Sequence, residues 1–161
     1  MSGFQDIYEN YSKPVYRFLL SLTRKEEMAE ELLQETFYRA FIHMDQYEGR
    51  SSLYTWLCQI GKNAWLKECR RKNFYSEKPI EELELTLENS SPETIAIINN
   101  EYERVRKALM NLDEPYKDVF ILHAYGEITL KEIAASYGKS ESWARVTYFR
   151  AKQQILQEVS K

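Results

Sequence analysis

The chain has 161 residues, 43% of them hydrophobic, and 22 basic against 25 acidic side chains give a net charge of −3. That length holds one modest core or two small helical ones. No apolar run of the ~18 residues a membrane span needs is present, and the opening MSGFQDIYENYSK is polar and acidic, unlike a leader peptide, so a cytoplasmic protein is expected.

Five Gly and four Pro, set against abundant Leu, Glu, Lys, Arg, Gln and Ala, favour an all-α fold. The first predicted helix carries an apolar stripe of Phe4, Ile7, Tyr8, Tyr11, Val15, Phe18, Leu19 and Leu22, with Pro14 marking a kink or a restart after Ser12. Thr23-Arg24-Lys25-Glu26 reads as a capping box. The helix behind it runs to about Asp45, with Ala29, Leu33, Phe37, Ala40, Phe41 and Met44 inward and Glu27, Glu30, Glu31, Gln34, Glu35 and Tyr38 outward.

After a loop over Gln46–Ser52, a serine-capped third helix runs from Leu53 to about Lys72. Here Tyr54, Trp56 and Trp65 are interleaved with Lys62, Asn63, Lys67, Arg70 and Arg71. Rings that stack on bases, beside cations that track a backbone, suit single-stranded nucleic acid. Trp56 also fits a core with Leu57 and Ile60, and the basic cluster also fits a solvated helix end. Cys58 and Cys69 lie eleven positions apart on this helix, about 16 Å at ~1.5 Å per residue, beyond disulfide reach; half-buried reduced thiols are expected. With only His43 and His123 beside them they make no metal set.

Charge is segregated along the chain. From Arg50 to Lys72 six cations face Glu68 alone, whereas from Ser76 to Glu93 Lys78 alone opposes six glutamates. Periodicity fades over the acidic stretch and Asn89-Ser90-Ser91-Pro92 punctuates it. An acidic linker over 74–91 therefore separates a domain of residues 1–73 from one of residues 92–161.

Ser91-Pro92 opens the second domain's first helix, with Ile95, Ile98, Tyr102, Val105 and Leu109 inward. Asp113-Glu114-Pro115 opens the next in the same way, carrying Tyr116, Val119, Phe120 and His123 up to Gly126. His123 reads as a packed helical histidine, having no nucleophile or acid placed with it. Then comes TLKEIAASYGKSESWARVTYFRAKQQI: a second capping box (Thr129, Glu132), core positions Leu130 and Ile133, small Ala134 for close helix approach, and Gly138 for a tight turn. This spacing predicts a helix-turn-helix from Thr129 to about Gln154, an ordinary helical hairpin being the alternative. The last helix, capped by Ser140 or Ser142, would offer the hydroxyls of Thr129, Ser140 and Ser142 to phosphates and Glu141, Arg145, Val146 and Phe149 to base edges. Arginine on guanine and an apolar side chain on a thymine methyl are the expected contacts.

AEELLQETFYRAF (Ala29–Phe41), YEGRSSLYTWLCQIGKNAWL (Tyr47–Leu66) and the following CRRK resemble region 2 of bacterial RNA polymerase sigma factors of the extracytoplasmic-function (ECF) subfamily, and the C-terminal domain resembles their region 4. The resemblance covers nearly the whole chain apart from the linker. It implies a sigma factor that binds core polymerase and directs promoter-specific initiation, with no cofactor, metal or hydrolysis asked of this chain. It also implies that Glu31, Gln34, Glu35 and Tyr38 dock on the clamp helices of the largest subunit, with the flap as a further contact. Tyr47, Gly49, Arg50, Ser51 and Ser52 belong to the loop that captures a flipped −10 base, at a few kcal/mol of unstacking. Trp56, Lys62, Asn63, Lys67, Arg70 and Arg71 then handle the melting duplex. The −35 set is Thr129, Ser140, Glu141, Ser142, Trp143, Arg145, Val146, Phe149 and Arg150. An anti-sigma factor is an implied partner, and no membrane insertion of the chain's own is.

Two departures stand out. Where the family's recognition helix reads close to TVKSRLxRA, this chain has WARVTYFRA (Trp143–Ala151), with Val146 at a small polar position. Gly61 stands where Ala is common, a loss of about 1 kcal/mol of helix propensity unless polymerase or DNA supports it. The acidic linker resembles the family's connector through the polymerase cleft, and reads equally as a solvating spacer. From other classes, a dimeric helix-turn-helix regulator acting on its own operator, or a helical module that sequesters another regulator, stay open at this point.

Overall fold

The computed structural model describes residues 3–75 and 92–161, the side chains of 73–75 and 92–99 excepted. Among the described residues every regular element is helical. In the first bundle, α1 (Gly3–Thr23), α2 (Glu26–Ile42) and α3 (Leu53–Tyr75) pack mutually; in the second, α7 (Glu141–Val159) packs against α4 (Pro92–Met110), α5 (Tyr116–Phe120) and α6 (Leu130–Tyr137).

The apolar stripe of α1 buries Val15, Phe18, Leu19 and Leu22 as expected, but the helix runs through Pro14 without a restart. Thr23 does not cap α2. Its hydroxyl accepts from Lys25 N–H at 3.2 Å, Arg24 turns the chain at φ 58°, and α2 starts after Lys25 with no side-chain cap. α2 also ends earlier than expected, at Ile42, and a short 3-10 turn follows over Met44–Gln46. Its buried side is Ala29, Leu32, Thr36, Phe37 and Ala40, while Phe41, expected inward, is 62% exposed.

Ser52 caps α3 as expected, its Oγ accepting from Thr55 N–H at 3.2 Å. Gly61 is explained by packing within the chain. A Cβ there would sit 3.1 Å from Thr36 Oγ1 and 3.2 Å from Leu19 Cδ2, so the glycine lets three helices cross closely. Both cysteines are buried free thiols rather than half-buried ones.

In the second bundle α5 starts at Tyr116, one residue beyond Pro115, and widens into a π-turn over Ile121–Tyr125 before Gly126. His123 is the packed histidine expected, its Nδ1 2.8 Å from Ile128 O and its ring edge-on to Tyr148. The acidic run over residues 76–91 and the inward placement of Ile95 and Ile98 lie outside the described residues.

Candidate nucleic-acid interface

The third helix has three differently employed sides. One buries Leu57, Cys58, Ala64, Trp65 and Leu66 in the first core, so Trp65 is a packing residue rather than part of an aromatic-basic surface. A second side opens on a cleft of about 330 Å³, lined by Trp56, Asn63, Lys67 and Arg70 from α3 and by Arg39 and His43 from the end of α2. Trp56 is half-buried there, with its ring 5.2 Å from that of Tyr47. Five cationic or ring-bearing side chains, Trp56, Lys67 and Arg70 of α3 with Arg39 and His43 at the end of α2, thus surround one hollow, a chemistry suited to a base and its phosphates. Arg39 and His43 were missed from sequence; the short loop that returns α3 across the end of α2 was the available signal.

The loop of residues 47–53 borders the cleft. Tyr47 donates to Ser51 O at 2.5 Å, Gly49 turns at φ 76°, and Arg50 pairs with Glu48 at 3.0 Å. Burial raises the Tyr47 phenol above its ordinary pKa. Arg71, near the helix end, pairs with Glu68 at 2.5 Å.

The third side of α3 is covered by the second bundle. Lys62, expected to face DNA, is 1% exposed, with Nζ 2.9 Å from Asp118 Oδ1. Burial lowers its pKa, and Asp118 opposes that shift. The contact is a buried ion pair at hydrogen-bond distance. Nearby, Tyr137 donates to Asp118 Oδ2 at 3.2 Å. At the start of α3, Ser52 N–H and Thr55 Oγ1 both donate to Glu132 Oε1, at 2.8 and 3.1 Å. Tyr54 OH donates to Gly126 O at 3.0 Å and Gln59 Nε2 to Ser136 Oγ at 3.3 Å. Further along, Tyr102 OH donates to Leu22 O at 2.5 Å and Arg106 hydrogen-bonds the Cys69 thiol.

The helix-turn-helix forms as predicted. Thr129 caps α6 by accepting from Glu132 N–H at 3.1 Å, but the reciprocal half of the capping box is absent because the Glu132 carboxylate turns to α3. Gly138, at φ 66° and ψ 32°, makes the left-handed turn. Of the two candidate caps, Ser140 serves, accepting from Trp143 N–H at 3.1 Å. Ile133 and Ala134 of α6 and Ala144 and Thr147 of α7 are buried between the helices. Glu141, Ser142, Arg145, Val146, Phe149 and Arg150 are exposed, with Arg145 held 3.2 Å from Glu141. Trp143 sits aside from that face, half-buried on Tyr137 and beneath Lys139.

On the outer side of α2, Glu31, Gln34 and Tyr38 are exposed and Glu35, paired with Arg39, is half-buried. Tyr38, Phe41, Ile42 and Tyr8 add an exposed apolar patch, the kind that marks a protein interface.

Two family matches fall in series on the two bundles. Sigma-70 region 2 matches residues 7–75 and Sigma-70 region 4 residues 102–155, which defines a sigma-70-type subunit of RNA polymerase. The chain is 32% identical over 153 residues to the ECF RNA polymerase sigma factor SigM of Bacillus subtilis (strain 168), covering 93% of this chain and 91% of that one. It is 28% identical over 161 residues to the RNA polymerase sigma factor YlaC of the same organism, covering 99% and 93%. The fold is shared with the sigma factor RpoE in complex with the anti-sigma factor NepR from Bartonella quintana, at a TM-score of 0.56 and 20% identity over 99% of this chain and 98% of that one. The chain belongs to the ECF family of RNA polymerase sigma factors. It binds core RNA polymerase and directs promoter-specific transcription initiation.

Proposed function

We propose that residues 1–73 form the domain that docks on core polymerase and melts the −10 element, residues 92–161 the domain that reads the −35 element, and residues 74–91 a linker between them. The observation that carries this division is the aromatic-basic cleft on α3, spatially separate from the exposed face of α7.

Glu31, Gln34, Glu35 and Tyr38, with the apolar patch beside them, dock on the clamp helices, and the second domain contacts the flap. Tyr47, Gly49, Arg50, Ser51 and Ser52 receive a flipped base, whose unstacking energy is offset by the cleft and by Trp56, Asn63, Lys67, Arg70 and Arg71. Lys62 joins them only once the second bundle has moved off α3. At −35, Thr129, Ser140 and Ser142 meet phosphates at helix N-termini, while Glu141, Arg145, Val146 and Phe149 face base edges and Arg150 tracks the backbone. Trp143 acts there by shaping the turn. The chain works by binding in the cytoplasm rather than by catalysis, and an anti-sigma factor is its expected regulator, as supported by the fold shared with a sigma factor held by one.

Run-off transcription with purified core polymerase tests this reading. Arg145→Ala is expected to weaken −35 recognition by about 1–3 kcal/mol with core affinity intact, and Gln34→Ala to do the reverse. Equal loss of both activities in each variant contradicts the division, as does unaided duplex footprinting with no promoter-specific transcript.

A further inference from the structure

We propose that the second bundle autoinhibits the first: the carboxylates of Asp118 and Glu132 occupy the anion-accepting groups of Ser52, Thr55 and Lys62 on the side of α3 next to the cleft, weakening its hold on single-stranded DNA while α7 stays open to duplex. The proposal rests on α3 being the −10 face.

The geometry is that of a competitor. Glu132 takes one backbone N–H and one hydroxyl at the start of a 23-residue helix, where amide donors and the helix dipole draw anions. Asp118 takes Lys62, two and a half turns further along. Ser52 and Lys62 belong to the set read above as handling the −10 element, and Thr55 lies between them on the same helix. Two acids of the −35 domain therefore sit where phosphates of the −10 strand are expected.

The contact is also built to yield. A buried ion pair such as Lys62–Asp118 recovers little beyond the desolvation of its two charges. The rest of the junction includes side-chain hydrogen bonds from Tyr54, Gln59 and Tyr102 that water can replace. By contrast Arg145, Val146 and Phe149 remain exposed in the same arrangement, so closure takes anion-accepting groups from one promoter element and none from the other.

The test compares the full chain with Asp118→Asn/Glu132→Gln and with a charge-matched control, Glu9→Gln/Glu158→Gln, at two exposed sites. The probe is a labelled mixed-sequence DNA single strand of about 12 nucleotides, within the ~4–16 of single-strand sites. Opening is followed separately by the N-ethylmaleimide reaction rate of Cys69, a buried thiol that interacts with Arg106 of α4, with peptide mapping to distinguish Cys58. The interface variant is expected to label Cys69 faster and to bind the strand about tenfold tighter than wild type and control, the gain if about nine molecules in ten are closed. Its affinity for duplex is expected to match the control's. Tyr54→Phe, which removes the hydrogen bond to Gly126 O together with the hydroxyl's contact with the Cys58 thiol, should shift both readouts the same way by a smaller factor and does not alter charge.

Unchanged Cys69 labelling in both variants overturns the proposal, and so does faster labelling with no gain in strand affinity. A gain that survives added Arg70→Ala places the strand elsewhere than α3 and overturns the underlying −10 reading instead, whereas loss of the gain with Arg70→Ala supports both.

Discussion

Trp56→Ala separates the packing role of this ring from the role toward DNA proposed for it. The side chain is half-buried, lines the α2–α3 cleft and lies 5.2 Å from Tyr47 at 45°. Losing that ring pair costs about 0.5–1.5 kcal/mol of fold stability, a fall of roughly 2–12 °C in Tm for a domain of this size. Losing a stacking platform for one unpaired base costs about 1–3 kcal/mol of strand binding, or about 5- to 150-fold. The assay is 2-aminopurine fluorescence at the −10 element with reconstituted holoenzyme, below the variant's melting temperature. Trp56→Tyr should restore most of the signal because it keeps an aromatic face. A loss under about twofold in open-complex formation, with core binding and −35 binding unchanged, would refute the assignment of this cleft to the melted strand.

Gly61→Ala is expected to lower Tm although it gains about 1 kcal/mol of helix propensity, because the new methyl meets Thr36 Oγ1 and Leu19 Cδ2 at 3.1 and 3.2 Å and overpacking costs about 1–3 kcal/mol; a rise in Tm would show that the crossing relaxes. Burial pushes the Cys69 thiol up to about 11 and the Cys58 thiol up to about 12. Alkylation at pH 8 should then be at least about 100-fold slower in the native chain than in urea, since only thiolate reacts. The folded thiol holds its proton above the pH at which the unfolded one loses it, so its stabilisation is complete below about pH 9 and is lost as pH rises toward 11–12. Melting curves should show that decline, and Cys→Ser substitution should flatten it.

Periodicity made the helices legible, because a buried stripe recurs every three to four residues whatever covers it. The helix-turn-helix was legible for a further reason: Thr129, Gly138 and Ser140 act through local backbone geometry that spacing encodes. What sequence could not supply was the neighbour across the chain. Glu132 at the N3 position of a capping box reads locally as a helix-start residue, yet its carboxylate is drawn to Ser52 and Thr55, 80 and 77 positions away. Lys62 among aromatic and basic neighbours reads as facing DNA, yet it lies against Asp118. Phe41 reads as core because its position fits the α2 stripe, yet the first bundle leaves it uncovered. In each case the local reading is chemically sound and a non-local contact, or the lack of one, decides the outcome.

Closure also constrains how polymerase can act. A ligand that binds two conformations equally shifts neither, however tightly it binds. Glu31, Gln34 and Tyr38 are exposed with the second bundle seated on α3, and under the docking proposed for them the clamp helices would meet them in either state. Docking at α2 alone therefore cannot open the chain; the differential binding must come from contacts with the second domain, or from DNA. An isolated clamp-helix fragment is thus expected to bind wild type and Asp118→Asn/Glu132→Gln with the same affinity, whereas whole core polymerase binds the variant more tightly by the closed-to-open ratio. Titration calorimetry with the fragment and fluorescence titration with core polymerase supply the two numbers. A fragment that discriminates between the two chains would mean that the α2 surface itself senses closure, and the separation of docking from opening argued here would be wrong.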